Sequence, residues 1–123
     1  MEQKGWVSIW LGNMEEDSLD EYVAITYDRE GVAAPAPFFI DFHLDMHEID
    51  EDFIEREAYK NTSSELLTLL AGCSYEEVLI PKIKESVELH KTYNASILLY
   101  NFKYQGEIHS ANTFDFIAVT NYE

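Results

Sequence analysis

The sequence predicts one α+β domain, an antiparallel β-sheet with about three helices packed mainly on one of its faces. Its 123 residues fit one domain of ordinary size, long enough to bury a core without disulfides or metals. An apolar content of 46%, an aromatic content of 14%, five glycines and three prolines indicate a packed globular protein. Strand-like runs near both ends of the chain enclose several helical patterns, which favours the α+β class.

The first third of the chain contains a predicted strand, helix and loop. A run of aromatic and β-branched residues over 6–11 ends at a Gly-Asn turn signal, which predicts a buried strand. Residues 18–21 have capping-box spacing, and an apolar series at helical intervals indicates an amphipathic helix. That series is Leu19, Tyr22, Val23 and Tyr27. Residues 29–37 hold glycine and proline without an apolar period, so they predict a loop.

Residues 38–47 alternate between two sets of side chains, with the period of two that is typical of a half-buried strand. One side of this predicted strand carries Phe38, Ile40, Phe42, Leu44 and Met46. The other side carries Phe39, Asp41, His43, Asp45 and His47. The acid-rich residues 48–52 predict a turn, and residues 53–59 fit a strand better than a short helix.

The second half of the chain predicts two helices followed by a hairpin. A capping box at 62–65 opens a short helix that ends at Gly72, and a third cap at 74–77 opens another helix, kinked at Pro81. Two strand-like runs, 95–104 and 114–122, are joined by a loop that contains a glycine. They are expected to pair as an antiparallel hairpin.

The net charge of −16, from 24 acids and eight bases, indicates which partners the protein can have. It opposes binding to nucleic acid and to anionic membranes, because both attract basic side chains, and it favours a basic protein partner. Residues 1–60 hold 16 of the acids and four of the bases, so the charge is lopsided. The lone Cys73 and a start without a basic, then apolar, segment predict a cytoplasmic protein.

Four short stretches carry a resemblance to a known family. They are WVSIWLG at 6–12, DEDFIE at 50–55, CSY at 73–75 and ILLYNFKY at 97–104. In order and spacing the chain resembles the immunity protein 22 family of bacterial polymorphic toxin systems, over nearly its whole length. The resemblance implies a small α+β protein that binds a cognate toxin domain and blocks it. These motifs are strand cores and an acidic turn, so they identify a fold more than a chemistry.

The acidic residues suggest how such a partner would be bound. Two clusters, 15–21 and 41–57, together hold 13 of the 24 acids. Their carboxylates would replace phosphate groups in a basic toxin cleft, which makes a nuclease the leading toxin class. The predicted contact residues are Asp41, Asp45, Asp50, Glu51, Asp52 and Glu55. Phe39 or Tyr59 would supply an apolar anchor, although a solvated face explains the same acids equally well.

Other functions have weaker support in the sequence. The row formed by His43, Asp45 and His47, with Asp50 or Asp52, suggests a metal-dependent hydrolase, but it lacks a metal motif of specific spacing. We therefore predict neither a metal nor another cofactor.

The chain is also predicted not to be an enzyme, because it lacks nucleophile-elbow, phosphate-loop and Cys-x-x-Cys motifs. Cys73 and His90 could form a thiolate pair, but a structural cysteine is the stronger interpretation. Trp6 and Trp10 are predicted core residues, with an exposed Trp10 as the alternative. A regulatory or scaffold module that binds a basic cytoplasmic protein is the alternative to the immunity function.

Overall fold

The computed structural model describes residues 3–123 and has the predicted α+β architecture. The strands are β1 (Trp6–Gly12), β2 (Thr26–Tyr27), β3 (Ala33–Ala34), β4 (Ile54–Ser63), β5 (Tyr93–Tyr100), β6 (Ser110–Ala111) and β7 (Phe114–Asn121). The helices are α1 (Glu16–Val23), α2 (Pro37–Asp41), α3 (Leu66–Leu69) and α4 (Glu76–Ser86). Two 3-10 turns, Met46–Glu48 and Glu51–Phe53, lie between α2 and β4.

β1 is the central strand of a five-stranded antiparallel sheet with the order β4-β5-β1-β7-β6. Ile9 lies opposite Leu98 of β5 on one side and Ala118 of β7 on the other. β5 and β7 were predicted to pair as a hairpin, and this prediction is wrong because β1 separates them. The hairpin partner of β7 is the short β6, which pairs with its first residues.

Helices cover both faces of the sheet. One face of β1 joins α1 and α2 in a core built around Trp10 and Phe38, and the other joins α3 and α4 around Ile9 and Leu79. The expectation that helices pack mainly on one face is therefore wrong. Successive residues of β1 from Val7 onward are buried, so both of its faces need an apolar cover, as in buried sheets generally.

The segment 38–47 is not the predicted strand but a short helix followed by a loop. Pro37 occupies the first helical turn, where its fixed φ and missing N–H are tolerated. Phe38 and Phe42 are four residues apart, so they share a helical face as easily as a strand face. Contact with Trp10 favours the helix, because its ring lies 5.0 Å from that of Phe38 and 5.7 Å from that of Phe42. His43, with φ of 55°, follows the helix.

The remaining helices and strands are of the predicted type, but their ends and caps differ from the prediction. The strand predicted over 53–59 is β4, the kinked helix is α4 with Pro81 inside it, and the first helix is α1. The N-cap residues of α1, α3 and α4 are Glu15, Glu65 and Tyr75, and none of them makes a side-chain cap hydrogen bond, so the three predicted capping boxes do not form. The predicted loop 29–37 includes half of the β2–β3 hairpin. Within residues 3–123, no helix has the length and apolarity needed to cross a bilayer.

Candidate partner-binding surface

Loop 42–53 carries most of the predicted contact residues, and apolar side chains of the loop anchor it in the core. Phe42, Leu44 and Ile49 are buried in the core under α1 and α2. Asp45 Oδ1 accepts a hydrogen bond from the His47 N–H at 2.9 Å, and Asp50 Oδ1 accepts one from the Asp52 N–H at 2.9 Å. Each aspartate thus begins a 3-10 turn, which gives both a local structural role. The loop consequently projects its acids from a fixed backbone.

The β2–β3 hairpin lies beside this loop and adds further acids. Asp28 Oδ1 accepts hydrogen bonds from the N–H groups of Glu30 and Val32, both at 2.9 Å, and Gly31 takes a φ of 81°. An aspartate that bonds residues ahead of it, followed by a glycine in the left-handed region, is a stable turn arrangement. Residues 26–53 contain eight acids and a single base, Arg29.

A shallow groove of about 270 Å³ separates the hairpin from the loop. Its lining includes Tyr27, His47, Asp50 and Glu51. The Tyr27 hydroxyl donates to Glu51 Oε1 at 3.3 Å, and the nearby carboxylate raises the pKa of Tyr27. We call the exposed parts of hairpin 26–34 and loop 45–53 the acidic hairpin surface.

The acidic hairpin surface also exposes apolar side chains. Tyr27 is 58% exposed, Val32 59% and Phe53 37%. Exposed aromatic residues among charges are the usual anchors of a protein interface. None of these three residues was predicted as an anchor, because the pattern placed Tyr27 in a helix, Val32 in a loop and Phe53 at the start of a strand. The run Asp28-Arg29-Glu30-Gly31 was the available signal, since it has the composition of a turn between two strands.

The predicted apolar anchors lie elsewhere. Phe39 is fully buried in the core, so its prediction as an anchor is wrong. Tyr59 is half-buried on β4, where its hydroxyl donates to the Ala71 carbonyl oxygen at 3.1 Å. Trp10 is fully buried, which confirms its prediction as a core residue and excludes the alternative of an exposed anchor.

Not all six predicted contact residues lie together. Asp45, Asp50, Glu51 and Asp52 are exposed on loop 42–53. Asp41 is half-buried at the end of α2, where it accepts a hydrogen bond from the Tyr22 hydroxyl at 2.8 Å. Burial, and then this bond to the carboxylate, raises the pKa of Tyr22.

Glu55 lies on the other face of the sheet from the loop. It is opposite Leu98 in the β4–β5 ladder, and Leu98 belongs to the core under α3 and α4. Its carboxylate accepts from the Ser74 N–H at 2.9 Å and from the Ser74 hydroxyl at 2.6 Å. The structure therefore separates Glu55 from the acidic hairpin surface.

The residues considered for a metal or for nucleophilic chemistry do not form such a site. Because 38–47 is not a strand, His43, Asp45 and His47 do not project as a row from one strand face. Across residues 3–123, no group of three or more histidine, cysteine or acidic side chains is arranged to hold a metal ion. Burial, with nearby carboxylates, raises the pKa of Cys73 to about 11, which disfavours a thiolate nucleophile at neutral pH.

The fold and this surface describe a small α+β protein with features suited to binding another protein. The family model described as immunity protein 22 matches residues 7–123, and the chain belongs to this family. This confirms the resemblance drawn from the sequence, and membership of an immunity family suggests a non-catalytic role. Neither the curated proteins nor the solved structures include a match to the chain.

Proposed function

We propose that this chain is a cytoplasmic immunity protein that neutralises a cognate toxin domain of a polymorphic toxin system by binding it through the acidic hairpin surface. The observation that carries the proposal is the juxtaposition of Glu51 and Asp52 with the exposed side chains of Tyr27 and Phe53. Carboxylates there would attract a basic partner over a distance, and the aromatic rings would supply contact area once the partner has docked.

A nuclease is the toxin class that this surface fits best. An enzyme that cleaves nucleic acid needs a basic cleft for phosphate groups, and carboxylates can occupy the same cleft. Family membership supports the immunity role, and the charge of −16 supports a basic partner. Inhibition would be stoichiometric, either by occupying the active site or by binding beside it.

Association kinetics with the polypeptide encoded immediately upstream of the gene test the proposed surface. The variant replaces Glu51 and Asp52 with lysine and leaves Asp50 in place, because Asp50 holds the local 3-10 turn. We expect association to slow by about tenfold or more at low salt and to lose most of its salt dependence.

A matched control replaces the exposed Glu85 and Glu88 with lysine, which changes the net charge by the same amount at a site far along the chain. This control should slow association much less, because steering depends on where the charge lies as well as on its sum. Equal effects of the two double variants would show that the acidic hairpin surface is not the contact region.

A further inference from the structure

A second recessed site lies on the opposite face of the sheet, along the edge strand β4. A cleft of about 330 Å³ opens there between β4 and the segment that joins α3 to α4. Its lining includes Glu55 and Glu57 of β4, Leu69 at the end of α3 and the following Leu70, and Ser96 of β5, together with Asp20 and Arg56. We call it the β4 cleft.

Glu55, Glu57 and Glu76 carry carboxylates in or beside the β4 cleft, and none of the three forms an ion pair within residues 3–123. Glu55 is bonded to Ser74, and Glu76 Oε2 accepts from the Gly72 N–H at 2.9 Å. Glu57 is exposed at the rim, with no hydrogen bond to its side chain from residues 3–123. Arg56 and Asp20 also line the cleft, but they pair with each other, since Arg56 Nε donates to Asp20 Oδ1 at 2.8 Å, so Arg56 does not offset the charges of Glu55 and Glu57.

Two titratable groups in the cleft respond to this excess of negative charge. Burial raises the pKa of Tyr59, and the charge of Glu57 raises it further. Burial also raises the pKa of Cys73, with added contributions from Glu55 and Glu76. In both groups burial is the larger cause, and the nearby carboxylates add to it.

Ser96 at the base of the cleft points to a ligand independently of these charges. It is only 2% exposed, and within the described chain no residue forms a hydrogen bond with its hydroxyl. Ser96 is two residues from Leu98, so the two side chains share the sheet face that packs against α3. The one fully buried side-chain polar atom that lacks a partner within residues 3–123 is Trp10 Nε1, so the Ser96 hydroxyl is open to the cleft that it lines, and a donor or acceptor that entered the cleft could bond to it.

We infer that the β4 cleft binds the side chain of one arginine of a protein partner. The guanidinium group has several N–H donors in one plane, so it can meet the Glu57 carboxylate and the Ser96 hydroxyl together. Leu69, Leu70 and Leu98 line the cleft and would pack against the aliphatic part of the side chain. That the arginine comes from the toxin rests on the proposed function, whereas the preference of the cleft for a guanidinium does not.

The test uses the full chain and a small probe, N-acetyl-arginine methylamide, followed in amide NMR spectra. We expect saturable shifts confined to residues 55–59, 69–74 and 96, with a dissociation constant on the order of 1–10 mM. N-acetyl-citrulline methylamide has nearly the same shape without the charge and should bind at least about tenfold more weakly. Equal binding of the two probes, or shifts that neither saturate nor localise, would overturn the inference.

Variants then assign the contact. Glu57→Gln should weaken arginine-probe binding by about tenfold and Ser96→Ala by about threefold, whereas Glu107→Gln, an exposed acid outside the cleft, should leave it unchanged. A probe that binds Glu57→Gln as tightly as the unmodified chain would refute the assignment. Because the probe needs no toxin, a failed toxin complex would contradict the proposed function alone, and a failed probe titration would contradict the cleft alone.

Discussion

Replacing Ser8 with alanine is expected to destabilise the protein far more than the loss of one oxygen atom suggests. Ser8 is fully buried on β1 and links two points of the segment that follows β5. Its hydroxyl donates to the Phe102 carbonyl oxygen at 2.8 Å and accepts from the Tyr104 N–H at 2.9 Å. The Tyr104 hydroxyl donates to the Ile108 carbonyl oxygen at 2.8 Å and lies 3.4 Å from the Phe42 carbonyl oxygen, so Ser8 helps to place Tyr104 beside the start of loop 42–53.

The expected loss of stability follows from the polar groups that Ser8→Ala would leave without a partner. Two buried hydrogen bonds are lost, and a buried carbonyl and a buried N–H lose their partner at once. Each such bond contributes about 1 kcal/mol net, and each unsatisfied group costs about 1–3 kcal/mol when water cannot reach it. Partial relaxation leaves an expected loss of about 2–4 kcal/mol, a large part of the roughly 5–15 kcal/mol that stabilises a domain.

Urea unfolding followed by far-ultraviolet circular dichroism measures this loss directly. The midpoint should fall while the slope stays constant, because the surface exposed on unfolding hardly changes. Ser86→Ala is the matched control, since the Ser86 hydroxyl lies at the exposed end of α4 with one long contact of 3.5 Å to the Ile83 carbonyl oxygen. A loss below about 1 kcal/mol for Ser8→Ala, or an equal loss in the control, would show that the two buried hydrogen bonds of Ser8 do not stabilise the fold as inferred.

Three further predictions concern the core, the thiol and a surface ion pair. Trp10→Ala should cost about 3–5 kcal/mol in urea unfolding, and Trp10→Phe clearly less, because the buried Nε1 of Trp10 has no partner within residues 3–123. A thiol reagent should modify Cys73 slowly at neutral pH and faster as the pH rises towards its pKa of about 11; rapid modification at neutral pH would contradict the raised pKa. Although burial opposes it, hydrogen bonds from Ser110, Tyr93 and Lys91 lower the pKa of Asp115. Asp115→Asn should therefore reduce stability near neutral pH. The difference in unfolding free energy between this variant and the unmodified chain should shrink as the pH falls from about 4 through the lowered pKa of Asp115. A difference that stays constant over this pH range would contradict the prediction.

The sequence predicted the strands better than their arrangement. The apolar run at β1 and the mixed run at β4 have strand composition whatever their neighbours are, so both strands could be located. The pairing of β5 with β1 instead of β7 is a long-range contact, and local turn signals carry no information about it. The positions of the helices on both sheet faces depend on the same topology.

The error at 38–47 has a local cause. Phe38 and Phe42 satisfy a period of two and a helical period equally, and the alternation of the intervening residues favoured the strand. Pro37 is a helix-start signal, but the alternation of side chains over 38–47 was given more weight. Contact between Phe38 and Trp10, 28 residues earlier in the chain, favours the helix and lies beyond any local window.

The candidate surface was predictable in charge but not in geometry. The acids of loop 42–53 were expected at the surface and are exposed there, because so many adjacent charges cannot be buried. The side of the sheet on which Glu55 lies depends on the β4 register, which the sequence does not determine. Tyr27 and Val32 became candidates only when the hairpin placed them beside Glu51.

The most direct test of the immunity function is protection of cells. The polypeptide encoded immediately upstream would be expressed alone and together with this chain, and growth would be recorded beside co-purification at low and high salt. If the chain is an immunity protein, growth should be lost with the upstream polypeptide alone and restored with both, and the two should form an equimolar complex that weakens as salt increases. A toxic upstream polypeptide that this chain neither binds nor neutralises would contradict it.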